Sequence, residues 1–77
     1  MARRQDVPIV GGTIELGALL KLASCVQSGG EAKSLIQAGS VSVNGTVEAR
    51  RHRQLHVGDR VGLPDGTEIV LTERTVR

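Results

Sequence analysis

Arg50, Arg51 and Arg53 fall within four consecutive positions, with His52 between them. Guanidinium groups match phosphate oxygens in a bidentate fork and stack on bases, which a lysine ammonium cannot do. The cluster is therefore a candidate grip on a nucleic-acid backbone. Charge runs are usually solvated surface, but two features favour a binding role for this one. No acidic residue lies between Glu48 and Asp59, so nothing nearby in sequence is expected to neutralise the arginines. The cluster also follows Asn44-Gly45, the strongest short hairpin signal, because a type I′ turn needs positive φ at both central residues. A tight hairpin would fix the direction in which the arginines emerge.

Other residues could carry chemistry and are weaker candidates. Ser28, Gly29 and Gly30 stand at the start of a helical pattern, where free amides and the helix dipole favour an anion. Glu31 competes for that positive end, so "SGGEAK" by itself reads as a cap. Lys33 lies one position past the apolar stripe of the same helix and should project from its flank. Lys21 lies on the polar side of the preceding helix. His52 and His56 have an i, i+4 spacing that holds zinc on a helix, but this stretch does not read as helix and no third ligand is near; no metal or other cofactor is expected. The Gly-Gly pairs at 11–12 and 29–30 lack the frame of a phosphate-binding loop. Ser28, Cys25 and the histidines form no credible catalytic triad.

The elements that must position these residues are legible in the hydrophobic pattern. Residues 1–12, with Arg3, Arg4, Pro8 and Gly11-Gly12, read as a flexible arm, and 13–77 as one domain. "TIEL" begins extended and leads into a helix, along which Leu16, Leu19, Leu20 and Ala23 recur at i, i+3, i+4 and i+7. "CVQSGG" breaks that pattern. Ser28, with Glu31 three residues later, has capping-box spacing. Ala32, Leu35, Ile36 and Gly39 form the stripe of a second, short helix, with Gly39 as its stop. Val41 and Val43 alternate with polar residues as a strand, and Thr46 to Glu48 return beside it. "VGDRVGL" and "TEIVLTE" give further strands around the "PDG" turn. The expected fold is α+β, with two short N-terminal helices packed on a small antiparallel sheet of three to five strands.

Composition narrows the function. A 77-residue chain buries only roughly 60% of its unfolded surface, and a substrate pocket of several hundred Å³ would consume most of its interior. An enzyme with a small-molecule substrate is not expected. The net charge is +2 and the pI about 9.3, with eight arginines against two lysines, a balance that tilts toward nucleic acid. There is no Phe, Tyr or Trp, so bases cannot be read by stacking on aromatic rings. Phosphate charge, shape and hydrogen bonding remain, which suits structured RNA better than a specific single strand. The lone Cys25 excludes an intramolecular disulfide framework and reads as a small buried hydrophobe. No apolar run reaches membrane-spanning or signal-peptide length, so a cytoplasmic monomer without a membrane partner is expected.

In this order and spacing, "LGALLKLASCVQSGGEAKSLIQAGSVSVNG" followed by "VGDRV" resembles the small RNA-binding module first described in the small-subunit ribosomal protein S-four, the alpha-L motif. The likeness runs from about Ile14 to Leu63. It rests on Leu16 with Leu20, on Ser28 and Ala32, on "LIQAG" and "VSVNG", and on the Gly58-Asp59 turn. It is nearest to the short stand-alone bacterial members. The resemblance implies binding of structured ribosomal or transfer RNA, with the ribosome as a possible setting, across the two helices and the adjoining hairpin region. By position, Ser28 and Lys33 match the RNA-facing second helix, and Arg50, Arg51 and Arg53 the basic segment after the hairpin. Lys21 on the first helix completes the RNA-binding set. Many members carry Arg where this chain has Gly29, and often Asp where it has Gly17. Loss of that arginine shifts the burden to the Arg50–Arg53 segment.

Three other readings stay open from the residues alone. A protein–protein adaptor could use the sheet or a helix face. "VNG", arginines and then "GDRV" also occur in ubiquitin-like sulfur carriers, but those need a C-terminal Gly-Gly where this sequence reads "ERTVR". A two-helix unit could mimic a DNA-binding helix pair, although Lys33 is the only basic residue on its second helix.

Overall fold

In the computed structural model, which describes residues 3–74, the chain forms seven strands and two helices. The order is β1 (Arg3–Ile9), β2 (Thr13–Glu15), α1 (Leu16–Leu22), α2 (Gly29–Gln37), β3 (Ser42–Val43), β4 (Thr46–Val47), β5 (Gln54–His56), β6 (Arg60–Gly62) and β7 (Thr67–Glu73). The main sheet has the order β1-β7-β6-β3-β4, and β2 pairs with β5 in a separate two-stranded ribbon.

The α+β class and the two packed helices agree with the sequence, and three details do not. The helices are not N-terminal, because β1 and β2 precede them. The sheet is mixed, because β1 runs parallel to β7, with Val7 beside Leu71 and Ile9 beside Glu73. Residues 3–9 are a strand and not part of a loose arm; Met1 and Ala2 lie outside the described residues. The reason is the period-2 pattern of "VPI": Val7 and Ile9 both turn into the core, at 5% and 3% exposure, while Asp6 and Pro8 face out. Pro8 is tolerated because β1 is an edge strand. Gly11 and Gly12, both at positive φ, then reverse the chain into β2.

The core lies between the helices and one sheet face. Leu16, Leu19, Leu20 and Ala23 from the first helical stripe, with Ala32 and Ile36 from the second, meet Val43, Val61, Ile69 and Leu71. Both helices end in the same hydrogen-bonded pattern. After α2 the amides of Gly39 and Ser40 bond the carbonyls of Ile36 and Leu35, with Gly39 in the left-handed region. After α1 the amides of Ser24 and Cys25 bond Lys21 and Leu20, but there a serine holds the left-handed position, at φ 60. Between β3 and β4, Asn44 and Gly45 have φ 52 and 85, the type I′ signature.

Candidate nucleic-acid interface

The basic segment is built onto the start of α1. Strand β2 ends at Glu15, which pairs with Gln54 of β5, so the residues just before β5 must pass the helix N-terminus. There the amide of Leu16 donates to the carbonyl of Arg53 and that of Gly17 to the carbonyl of Arg51, each at 2.9 Å. A helix start leaves such amides without intrahelical acceptors, and Glu15 supplies no side-chain cap. The loop backbone caps the helix instead, and the helix in turn fixes the loop. A Cβ at Gly17 would sit 3.4 Å from that Arg51 carbonyl oxygen, so little room separates the two.

The arginines divide into two groups. Glu48, whose side chain is nearly buried, accepts from Arg50 Nε at 3.0 Å, from Arg50 Nη2 and backbone N at 3.2 Å each, and from Arg53 Nη1 at 2.7 Å. The hydrogen bonds from Arg50 and then Arg53 hold its carboxyl down at about 2, against the opposing effect of burial. The expectation that nothing nearby neutralises the cluster is therefore corrected: Glu48, the residue that bounds the acid-free stretch, folds back onto two of its three arginines.

Arg51 points elsewhere. Its Nε donates to His52 Nε2 at 3.1 Å, and His52 Nδ1 lies 3.3 Å from Glu15 Oε1. Arg51 and His52 line a groove of about 310 Å³ together with Glu15, Lys21 on α1, and Gly29 and Ala32 on α2. Gly17 and Ala18 complete the lining. Four small residues thus leave open a channel between the helices, and Lys21 and Arg51 are its two permanent cations.

The remaining sequence candidates take different places. Ser28 is the N-cap of α2, and its hydroxyl accepts from the Glu31 amide at 3.2 Å. Glu31 completes the box one residue early, on the amide of Gln27. Lys33 is exposed on α2 outside the groove lining. His52 and His56 do not share a ligand: His56 faces Asp59 at 3.9 Å. Among the described residues no three His, Cys, Asp or Glu side chains cluster as a metal site, and no helix is long and apolar enough to cross a membrane. Cys25 is half-buried against the core, and burial pushes its thiol up. Glu15, Gly17 and His52 stand outside the RNA-binding set that the sequence predicts. Glu15 is 37 positions from His52, and only the β2–β5 pairing brings them together.

The hairpin and the Gly58-Asp59 turn are joined by Asn44. Its Nδ2 donates to Asp59 Oδ1 at 3.1 Å and its Oδ1 accepts from the Arg60 amide at 3.0 Å. "VNG" and "GDRV" are therefore one hydrogen-bonded unit that sets the sheet edge from which the basic segment departs.

A Bacillus subtilis protein described as "Probable ribosome maturation protein RlbA" is 50% identical over 48 residues, which cover 62% of this chain and 68% of that protein. The model of the S4 domain matches residues 7–72, from within β1 to within β7, and the chain belongs to the S4 domain family.

Proposed function

We propose that this protein is a non-catalytic RNA-binding factor of ribosome assembly or translation, recognising structured ribosomal or transfer RNA by phosphate charge and shape. The observation that carries the reading is the groove between α1 and α2, which Lys21 and Arg51 line together with the small residues Gly17, Ala18, Gly29 and Ala32. Small residues let a nucleic-acid backbone approach the helices, and the two cations meet its phosphates. Arg50, Arg53 and Lys33 extend the basic surface around this groove. Ser28 sets the start of α2 through its hydroxyl oxygen, which accepts from the Glu31 amide, and its O–H is left as a donor for a phosphate. The ribosomal setting is supported by the name of the Bacillus subtilis relative.

The test is binding of folded transfer RNA and ribosomal RNA fragments, compared with duplex DNA of equal length, by the wild type and by Lys21→Ala/Arg51→Ala. Folded RNA should be preferred, and the double variant should lose roughly a hundredfold, as two charge-assisted contacts imply. Equal affinity for DNA, or an unaffected double variant, would sink the reading.

A further inference from the structure

Arg51 is held unlike its neighbours. Arg53 reaches Glu48 through Nη1 and Arg50 through both Nε and Nη2, whereas among the described residues the Arg51 side chain is bonded through Nε alone, to His52 Nε2. An arginine Nε–H can only donate. His52 Nε2 is therefore the acceptor, the ring proton resides on Nδ1, and that N–H donates to Glu15 Oε1 at 3.3 Å. The three side chains form a relay with one possible direction, from Arg51 through His52 to Glu15. Both of its ends are anchored by the backbone, because Glu15 closes the β2–β5 pairing and the Arg51 carbonyl caps α1.

The consequence lies at the other edge of the guanidinium. With Nε engaged, the two Nη groups keep their N–H bonds for a ligand in the groove that Arg51 lines with Lys21. A pair of parallel Nη–H donors matches two oxygens of a phosphate. We infer that Glu15 and His52 are positioning residues that hold Arg51 by its Nε edge, so that its Nη edge receives an RNA phosphate in the α1–α2 groove. This rests on the RNA-binding reading above. It also gives a role to a carboxylate at the rim of a basic groove: Glu15 orients the His52 ring. An arginine ordered in advance has less rotamer freedom to lose on binding, which is what the relay contributes.

The inference is tested with folded transfer RNA and the variants Arg51→Ala, Arg51→Lys, His52→Ala and Arg51→Ala/His52→Ala. His52→Ala should weaken binding roughly three- to tenfold, as expected for freeing one long side chain, and should have no further effect once Arg51 is alanine. Arg51→Lys keeps the charge but has no Nε–H edge, so it should bind nearly as poorly as Arg51→Ala. Equal losses from His52→Ala in both backgrounds, or wild-type affinity for Arg51→Lys, overturn the inference while leaving RNA binding intact. No affinity of the wild type for folded RNA overturns both. Independently of RNA, the imidazole nitrogen shifts of His52 should report the Nδ1–H tautomer, and an Nε2–H tautomer overturns the relay.

Discussion

The amide of Gly17 donates to the carbonyl of Arg51 at 2.9 Å, and through that bond the first helix and the basic segment become one rigid piece. Residue 17 has no side chain, and a Cβ there would lie in ordinary contact with the loop, 3.4 Å from the same oxygen and 3.6 Å from the Arg51 Cβ. A single methyl group could be taken up, but a branched side chain could not. Gly17→Val should therefore fold and yet displace the loop, with the hydrogen bond's roughly 0.5–1.5 kcal/mol appearing as up to about tenfold weaker RNA binding. Circular dichroism beside a titration with transfer RNA checks this; unchanged affinity would show that the loop does not depend on the contact.

Glu48 makes the stability of the fold sensitive to acid. Its carboxyl sits at about 2 in the folded protein, from an ordinary value of 4.5, because Arg50 and Arg53 bond its charged form. A depressed carboxyl contributes stability above its unfolded value, and that contribution is lost as pH falls through the folded value. Melting temperature should thus decline between pH 4.5 and 2, and Glu48→Gln should flatten the decline. A residual slope is expected from Asp59 and Asp65. At Asp59 burial opposes the charged form but is outweighed by the His56 amide and Asn44; at Asp65 the Thr67 amide favours it. Parallel melting profiles for wild type and variant over this range would show that Glu48 contributes nothing.

The strand β1 separates what the sequence could show from what it could not. Helical stripes, caps and the Asn44-Gly45 turn depend on neighbours a few residues apart, so they were legible. The β1–β7 pairing joins Arg3 to Thr67 across the whole chain, and a three-residue alternation between arginines and glycines is too short a signal beside such a distant partner. The same limit hides part of the site: Arg51 is visible as charge, but Glu15 comes to it, through His52, only by the β2–β5 ribbon. The strand itself is testable. Ile9 is 3% exposed, so Ile9→Ala should cost about 2–5 kcal/mol in urea unfolding, whereas the same change in a loose arm would cost nothing measurable.

Ser24 offers a stabilising change. It holds the left-handed position that ends α1, at φ 60, and an L residue pays roughly 1–2 kcal/mol for that conformation. Glycine adopts it freely, less the added entropy of a glycine in the unfolded chain. The Ser24 side chain makes no hydrogen bond among the described residues, so little is given up. Ser24→Gly should raise stability by about 0.5–1 kcal/mol, read as a higher urea midpoint with an unchanged slope; a lower midpoint would mean that the turn is not strained.

The salt dependence of RNA binding separates the cations that touch phosphate from those that hold the fold. Each phosphate neutralised releases counterions and adds roughly −0.7 to −0.9 to the slope of log K against log salt. Four contacts predict a slope of roughly −3 to −4 for the wild type. Lys21 and Arg51 line the open groove, so replacing either by alanine should reduce the slope by about 1 with little loss of stability. Arg53 is different, since its Nη1 lies 2.7 Å from a nearly buried carboxylate. Arg53→Ala leaves Glu48 half-compensated and should lower the melting temperature more than it changes the slope. Melting curves and binding isotherms at several salt concentrations, for all three variants, decide the division of labour; a full unit of slope lost with unchanged stability in Arg53→Ala would return that arginine to the RNA-contacting set.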